Sequence, residues 1–422
     1  MPLSRSLRSP WWVVVGSTLA LTVSNGPVVL FTFGVFLKPV TSAFGWDRGT
    51  MSLAVVLSST ASALVGPIVG ILIDRWGVRR VTLIAIVCFS LAGTLISQTP
   101  DSPLVFALLY ALWGMFGGGH ANLSYTKAVS GWFDRQRGLA LGITMAGTGI
   151  GVAVMPQFAS FAIGEFGWRG AYVAIGALVF VVSIPAVFLL VQEPQPQQGR
   201  AHATRPVSFA GRSVAEAFRS SEFWIIGTAL LLAVVAMNGT IAHVVPLLTD
   251  RGMTREVAAM ALSVVGLSTI AGRLMSGYLL DHFFGPYVAA CFFVVSSFGV
   301  FLLASGAAMP APILAVILMG LSLGAEVDLI GFLVSRYFGL RSFGQISGYL
   351  FAVFQLGSGI GPWIMGVSFD TLHSYTVALV GLGSSLVAAS VLMSQLGHYV
   401  FPIGASQPAA EETAPVTPAL GA

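Results

Sequence analysis

Charged residues are scarce in this sequence. Only 9% of the 422 residues are Asp, Glu, Lys or Arg, and 56% are apolar, whereas an ordinary soluble domain has about 25% charged residues. So few charges could not cover the surface of soluble domains, and we expect a protein that crosses the lipid bilayer many times. The 20 basic residues lie in short runs rather than in one patch, which argues against nucleic acid as a partner.

Cysteine and catalytic motifs are also lacking. Cys88 and Cys291 both lie inside apolar segments, so the sequence predicts neither a disulfide framework nor a Cys-based metal site. The sequence contains no assembly of Ser, His and Asp, no HExxH and no ATP-binding motif. The Gly-rich runs at 147–151 and 357–361 lack the Lys of a phosphate loop and are typical of close helix packing. We therefore expect no enzyme, no cofactor and no bound metal.

Twelve apolar segments are long enough to span a membrane, since roughly 20 residues at 1.5 Å each cross a hydrocarbon layer of ~30 Å. The first is too long for the apolar part of a signal peptide. The sequence predicts an all-α membrane protein with twelve transmembrane helices in two six-helix bundles. The segments cover residues 12–37, 49–74, 80–99, 103–127, 137–163, 169–191, 222–249, 256–281, 285–307, 310–335, 342–368 and 373–397.

The longest polar interruption divides these segments six and six. It predicts an N-terminal bundle at 1–191, a cytoplasmic linker at 192–221, a C-terminal bundle at 222–400 and a disordered tail at 401–422. Fourteen basic residues fall on the side of the N-terminus and five on the opposite side. By the positive-inside rule both termini are cytoplasmic, and we expect a multi-pass protein of the cell membrane, such as a bacterial inner membrane.

The two halves repeat each other. The string GILIDRWG at 70–77 recurs as GYLLDHFFG at 277–285. Parallel repeats of six spans predict a substrate site near the middle of the membrane, where the two bundles meet. A repeat of this length favours a transporter over a receptor or a membrane enzyme.

Two motifs carry a family resemblance. Residues 70–80, GILIDRWGVRR, resemble the loop motif GxxxDRxGxRR of the major facilitator superfamily at every fixed position, and residues 132–147, WFDRQRGLALGITMAG, resemble the YFxKRRxLAxGxAxAG motif of the monocarboxylate transporters. The resemblance implies transport by alternating access, with Asp74, Arg75 and Asp281 gating the path.

The same resemblance bears on the substrate. The related oxalate and formate exchangers carry a Lys in the eleventh span in addition to an Arg in the eighth, and this sequence has Gln355 at about the place of that Lys. Two cations suit a dianion, whereas one cation suits a monoanion. Family members commonly place an Asp one turn before the Arg, where this sequence has Thr269.

Arg273 is the most informative residue. It lies eight residues before Asp281, or about 12 Å of helix rise from the membrane edge, and a guanidinium at such depth costs at least ~2.5 to 3.5 kcal/mol unless it is paired or hydrated. Its planar donors fit a carboxylate bidentately. We predict that Arg273 anchors a substrate carboxylate; the alternative is a structural ion pair with an acid on a neighbouring helix.

Two acids lie well inside the tenth span. Glu326 and Asp328 point about 200° apart around a helix, so both are not expected to face one cavity. A carboxyl group that alternates between burial and a nearby Arg can load and release a proton. We predict that one of the pair, preferably Asp328, couples protons to transport, while the other holds helices together; the alternative is a structural partner of Arg273 or of a helix end.

Several uncharged polar side chains complete the predicted site. Each lies within a span at a depth where it could line a cavity, and for His243 a satisfied hydrogen bond between helices is the alternative. The candidate substrate-binding residues are Tyr125, His243, Asn238, Asn122, Gln355, Asn25 and His120.

The sequence thus predicts secondary active transport of small organic anions, and specifically symport of a monocarboxylate with a proton, by a protein that works as a monomer. Three alternatives stay open at this point. They are a dicarboxylate or other anion exchanger, a proton-coupled drug exporter that needs a buried acid but no essential Arg, and a membrane sensor.

Overall fold

Long apolar helices make up most of the described chain. The structure, a computed structural model, describes residues 9–133, 136–192, 211–339 and 341–401, without the side chains of Asp74, Arg137 and Val327. The helices are α1 (Pro10–Thr22), α2 (Phe31–Phe44), α3 (Arg48–Trp76), α4 (Val78–Ile96), α5 (Pro103–Gly117), α6 (Asn122–Ser130), α7 (Arg137–Pro185), α8 (Val214–Phe218), α9 (Ser221–Asp250), α10 (Arg255–His282), α11 (Gly285–Ala304), α12 (Ala311–Tyr337), α13 (Phe343–Leu372) and α14 (Thr376–Ser394), with π-helical stretches at Gly26–Leu30 and Ala186–Leu190.

These helices form twelve crossings. Within the described residues, ten helices are long and apolar enough to span a membrane, and α12, bent by 42° between Glu326 and Asp328, adds an eleventh. One of the ten, Leu139–Leu190, has 52 residues, and about 78 Å of helix is more than twice the ~30 Å hydrocarbon layer. Gly167, with φ 67° and ψ 173°, divides it. The predicted fold class of twelve transmembrane helices in two bundles is confirmed.

Two neighbouring spans of the N-terminal bundle are broken at the same level. The first span is interrupted between α1 and Gly26, and the fourth span is interrupted at 118–121, between α5 and α6. The backbone N–H of Asn25 in the first break donates to the carbonyl of His120 in the second, at 3.2 Å. Non-helical backbone at membrane depth is stable only where protein or water satisfies its polar groups. The hydrogen bond between Asn25 and His120 supplies one backbone partner to each break.

The bundles meet along two seams, one where α3 packs against α13 and one where α7 packs against α10. We call the membrane face that carries Pro10 and Ser394 the terminal face, and the face that carries Asp47 and Arg251 the distal face. The predicted boundaries of the bundles remain predictions. Residues 193–210 of the predicted linker and 402–422 of the predicted tail lie outside the described residues, and the described part of the linker contains α8.

Candidate functional site

In the distal half of the molecule both seams are closed. A Cβ atom on Gly359 of α13 would lie 2.7 Å from Val56 Cα of α3, and one on Gly366 would lie 2.8 Å from the carbonyl oxygen of Arg48. In the other seam, a Cβ on Gly266 of α10 would lie 2.6 Å from the carbonyl oxygen of Gly149 of α7. The helix backbones therefore touch across the bundle interface.

Toward the terminal face both seams open. Gly66 of α3 and Gly348 of α13 lie seven and eleven residues beyond the contact positions Ser59 and Gly359, and these spacings keep them on the same helix faces. A Cβ on either glycine would meet no neighbouring heavy atom within 4 Å in the described part of the chain. Gly142 of α7 and Gly277 of α10 are equally open. The bundles thus enclose a V-shaped cavity that opens to the terminal face.

Charged residues fasten the distal ends of the bundles together. Arg48, the first residue of α3, forms a bidentate pair with Asp250 at the end of α9, with nitrogen–oxygen distances of 2.6 and 3.1 Å. Lys38 of α2 also approaches Asp250, with Nζ 2.6 Å from Oδ1. Bidentate Arg–carboxylate pairs combine charge with fixed geometry. Two cations of the N-terminal bundle therefore hold one carboxylate of the C-terminal bundle.

A second carboxylate reaches across the interface to backbone. Asp370 of α13 accepts hydrogen bonds from the backbone N–H groups of Arg48 (2.9 Å) and Gly49 (2.6 Å). The first N–H groups of a helix lack partners within the helix, so Asp370 caps α3 from the opposite bundle. The Arg48 guanidinium also lies 3.5 Å from the ring centre of Phe369 and donates to the Tyr375 hydroxyl. We call Lys38, Arg48, Asp250, Asp370 and Tyr375 the distal lock.

His243 of α9 adjoins the distal lock and is fully buried. Its Nε2 lies 2.9 Å from the carbonyl oxygen of Pro362 and its Nδ1 lies 3.1 Å from the Tyr375 hydroxyl. Since a carbonyl can only accept, Nε2 carries the hydrogen and Nδ1 accepts from Tyr375. Ser52 of α3 lies 3.3 Å from Nε2. The sequence-predicted His243 thus lies within the closed distal seam.

Arg273 lies where the α7–α10 seam begins to open. A Cβ on Gly149 of α7 would collide with Ile270 of α10, and Arg273 follows one turn later. A Cβ on Gly277, beyond it, would meet no heavy atom of the described residues within 4 Å. The Arg273 Nε lies 3.4 Å from Asp328 Oδ2, and the two side chains are 16% and 36% exposed. Arg273 therefore lies next to an acid on a neighbouring helix, at the level where the seam opens.

Asp328 and Glu326 have different surroundings. Asp328 faces α10, whereas Ser322, one turn before Glu326 on α12, donates to the carbonyl of Phe292 of α11, so the Glu326 side of the helix faces α11. Glu326 is 1% exposed, and neither carboxyl oxygen has a hydrogen-bond partner in the described part of the chain. A charged carboxylate there would lose hydration without gaining a donor. Only Asp328 reaches the opening seam.

Further polar side chains lie near the level of Arg273. Asn122 begins α6 and accepts from Thr148 of α7 at 3.4 Å, and Thr148 adjoins the contact between Gly149 and α10. Gln355 lies one turn beyond Gly359 toward the terminal face, which is where the other seam opens. Asn25 lies in the first-span break, and its side-chain oxygen has no hydrogen-bond partner among the described residues. Asn122 and Gln355 thus lie where the two seams begin to open, whereas the Asn25 side chain packs against Gly117 of α5.

Three other predicted ligands lie inside the bundles. The Nδ1 of His120 lies 2.7 Å from the Tyr125 hydroxyl, and its Nε2 lies 3.2 Å from the carbonyl of Val23. His120 and Tyr125 are fully buried. Asn238 donates to Ser358 at 2.7 Å, which ties α9 to α13. His120 and Asn238 thus hydrogen-bond between spans, whereas Tyr125 bonds to His120 of its own span.

The predicted gate residues lie at the terminal face. Arg75 is exposed near the end of α3, and Asp281 is exposed at the end of α10. The side chain of Asp74 lies outside the described part of the structure. The sequence did not predict the distal lock, although its charged residues stand near the ends of predicted spans. Arg48 is 202 positions from Asp250 and 322 positions from Asp370, and the sequence does not show that residues so far apart meet.

Comparisons with known proteins agree with this architecture. The family model described as Major Facilitator Superfamily matches residues 18–362. The chain is 25% identical to the MFS-type transporter YcxA of Bacillus subtilis, over 90% of this chain and 95% of YcxA. It is also 25% identical to human Monocarboxylate transporter 11, over 90% of this chain and 82% of that transporter.

Among solved structures, a D-xylose-proton symporter matches with a TM-score of 0.72 at 14% identity, covering 91% of this chain and 97% of the symporter. A bacterial homolog of the human lysosomal transporter Spinster, inward-facing, matches with a TM-score of 0.66 at 18% identity, covering 93% and 96%.

Proposed function

Since this chain belongs to the Major Facilitator Superfamily, and is therefore a multi-pass membrane transporter of small molecules and not an enzyme, we propose that it carries a small monocarboxylate together with a proton. We further propose that it acts as a monomer in the cell membrane, with the terminal face in the cytoplasm.

The pair of Arg273 and Asp328 carries this proposal. The two charges neutralise each other at 3.4 Å, and Arg273 so paired has little attraction left for an anion. A proton that binds Asp328 removes its negative charge and frees the guanidinium. A substrate carboxylate then takes the place of the Asp328 carboxylate, and the site is again neutral, so proton and anion move together without burying a net charge.

The supply of positive charge supports a monoanion. Arg273 is the cation at the apex, and the position in α13 that faces the opening seam is Gln355, a neutral amide. The N-terminus of α6 at Asn122 has no acidic residue in its first turn, and a helix N-terminus attracts an anion with roughly half a charge. We propose that Asn122, Gln355 and Asn25 orient the substrate. The monocarboxylate transporter names of relatives such as human Monocarboxylate transporter 11 support the substrate class.

The two seams supply the alternating access. With the distal lock closed and the terminal half open, the substrate exchanges with the terminal face. Opening toward the distal face requires that Arg48 leave Asp250 and that the terminal halves approach each other. Arg75 is exposed while the terminal half is open, which fits a latch that engages only when this half closes. We propose that Asp74, Arg75 and Asp281 form that latch.

Uptake by liposomes that contain the purified protein tests the proposal. With the outside one pH unit more acidic than the inside, a symporter of one proton accumulates a monocarboxylate such as lactate or pyruvate up to about tenfold, and succinate and xylose serve as comparison solutes. Removing a charge-assisted bond of about 1.5–3 kcal/mol should make Arg273→Ala roughly 10- to 100-fold slower. Arg219→Ala, an exposed cation beyond α8, is the control.

Each contrary result has a distinct meaning. Counterflow of succinate without any effect of the pH gradient would indicate a dicarboxylate or anion exchanger. Normal lactate accumulation by a monodisperse Arg273→Ala protein would remove Arg273 from the site, and no lactate accumulation by the parent protein would favour the drug exporter.

A further inference from the structure

One buried histidine joins the seam between the bundles to the charges of the distal lock. His243 of α9 lies where the two bundles touch, since a Cβ atom on Gly34 of α2 would collide with the carbonyl oxygen of Ala242. Ser52 of α3 and Phe33 of α2 contact the imidazole from the N-terminal bundle, and both are fully buried. His243 is therefore shut off from water for as long as the distal seam is closed.

The hydrogen bonds that lead from the lock to His243 run in one direction. Arg48 donates to Asp250 and to the Tyr375 hydroxyl. This hydroxyl donates to His243 Nδ1 at 3.1 Å, and Nε2–H donates to the carbonyl of Pro362 at 2.9 Å. Because Nδ1 must accept, this order requires the neutral imidazole with its hydrogen on Nε2.

A proton on Nδ1 would disturb these bonds. Nδ1–H would point at the Tyr375 oxygen, which already accepts from Arg48, and the hydrogen of that hydroxyl would lose its acceptor. The imidazolium would also be a further cation close to Arg48, in a place without water. The closed seam therefore fits His243 only in its neutral form.

The helices packed around His243 contribute charged and titratable groups through the distal lock. These groups are Lys38 of α2, Arg48 of α3, Asp250 of α9, Asp370 of α13 and Tyr375 before α14. Both carboxylates are already bonded, Asp250 to two cations and Asp370 to backbone N–H groups. Two cations and two carboxylates balance, so a proton on His243 would add a charge without a counterion.

Opening of the distal half removes these constraints. When Arg48 leaves Asp250 and the bundles part, water reaches the imidazole, and an imidazole in water binds a proton below about pH 6.5. A proton that binds only to the open form favours that form. We propose that His243 is a proton-binding site of the distal-open form, through which acid on the distal side opens the distal half of the transporter.

This proton differs from the transported proton proposed for Asp328. When the seam closes again, Tyr375 must donate to Nδ1, so the proton returns to the water of the distal side from which it came. His243 thus sets how often the distal half opens without adding a proton to each transported anion. It acts through the alternating access proposed above, and the opening can be measured whatever the protein transports.

Spin labels at the distal ends of the two bundles measure the opening. They are attached to Glu165→Cys of α7 and to Ala307→Cys between α11 and α12, two exposed positions, in the full-length protein with Cys88→Ser and Cys291→Ser. The distances between the labels are measured by pulsed electron spin resonance in nanodiscs of neutral lipid at pH 7.5 and pH 5.5. Their distribution gives the ratio of open to closed molecules.

We expect this ratio to rise about tenfold from pH 7.5 to pH 5.5, because the proton favours the open form by a factor that grows from about 1.1 to about 11. His243→Gln keeps a neutral donor and acceptor but cannot bind the proton, so its ratio should change little. His120→Gln is the matched control, because His120 is equally buried and bonds within the N-terminal bundle. It should respond to acid as the parent protein does.

Tyr375→Phe tests the same hydrogen bonds without replacing the histidine. Loss of the hydroxyl removes one bond to Arg48 and one to Nδ1, so the ratio of open to closed molecules should rise roughly 2- to 10-fold at pH 7.5. The response to acid should remain, because His243 remains. An unchanged ratio at pH 7.5 would contradict the connection between the lock and His243.

Three further results would overturn the proposal. Opening of the parent protein without any response to acid would leave alternating access intact but show that His243 stays neutral in both forms. An equal response in His243→Gln would place the acid-sensitive group among the carboxylates of the lock. Equal loss of the response in His120→Gln and His243→Gln would show a general effect of replacing a buried imidazole.

Discussion

The distal and terminal halves of this molecule differ in how the bundles meet. In the distal half, glycines bring the helix backbones into contact, and Arg48, Asp250 and Asp370 join the bundles by charge. In the terminal half, the glycines on the same helix faces, such as Gly66 and Gly348, have open space before them. Glycines in both halves leave room for the helices to pack closely. In this conformation the closed half is the distal one, where the ion pairs and hydrogen bonds of Arg48, Asp250 and Asp370 join the bundles.

The largest expected effect separates the two acids of α12. Asp328→Asn removes the acid that we propose to exchange with the substrate carboxylate, so we expect lactate accumulation under a one-unit pH gradient to fall from about tenfold to onefold, while lactate counterflow continues. Glu326→Gln is the matched control, because Glu326 is buried away from the seam, and it should still accumulate lactate. Retained accumulation by Asp328→Asn, or its loss in Glu326→Gln alone, would move the proton site to Glu326.

The next effect breaks the distal lock. Arg48→Gln leaves Asp250 without its bidentate partner, and a partly exposed charged pair of this kind contributes about 1–3 kcal/mol. We expect the distal seam to open roughly 5- to 150-fold more often. The measurement is the rate at which a maleimide labels Ser52→Cys in a background with Cys88→Ser and Cys291→Ser, because Ser52 is fully buried in this seam.

The control for the lock is a second distal arginine. Arg169 donates to the carbonyls of Ser97 and Thr99 within the N-terminal bundle, so Arg169→Gln should leave the labelling rate unchanged. Similar labelling rates in Arg48→Gln and Arg169→Gln would contradict a role for Arg48 in holding the bundles together.

A smaller effect compares glycines on one helix. Gly359→Val would drive a side chain into Val56 across the closed seam, where overpacking costs about 1–3 kcal/mol, and we expect the unfolding temperature in detergent to fall by a few degrees. Gly348→Val, on the open half of the same face, should leave it nearly unchanged. Equal loss of stability in both variants would contradict the inference that the α3–α13 seam is closed at Gly359 and open at Gly348.

The smallest effect distinguishes an amide at the apex from one inside a bundle. Asn122→Ala removes one weakly held hydrogen-bonding group, so KM for lactate should rise about 2- to 10-fold with little change in kcat. Asn238→Ala should instead lower the unfolding temperature and leave KM alone, because Asn238 is buried against Ser358. An unchanged KM in Asn122→Ala would remove that residue from the pocket.

The sequence predicted the spans well because their signal is local. Twenty apolar residues reveal a span without any knowledge of its neighbours, and the division of the long helix near Gly167 follows from the polar residues around it. Arg273 could be singled out for the same reason, since an isolated cation in an apolar segment stands out. The sequence limited the acids inside the spans to Glu326 and Asp328, but it did not show which of the two is the partner of Arg273.

Directions of side chains were harder to predict. Asn122 and Tyr125 both follow the break at 118–121 in the fourth span. Because the helix is interrupted there, the 100° step per residue cannot be carried from α5 into α6. The sequence therefore does not show which of the two side chains faces the cavity. The distal lock depends on contacts between distant parts of the chain, such as Arg48 with Asp370, 322 positions apart. Only the packing of the two bundles brings these residues together.

The cap that Asp370 places on α3 gives the transport cycle a built-in reporter. The backbone amides of Arg48 and Gly49 donate to Asp370 of the opposite bundle. When the distal half opens, both amides lose this acceptor and hydrogen-bond to water instead. Deuterium uptake at these two positions therefore follows the fraction of time spent in the distal-open form, and a transported substrate that raises this fraction should speed their exchange.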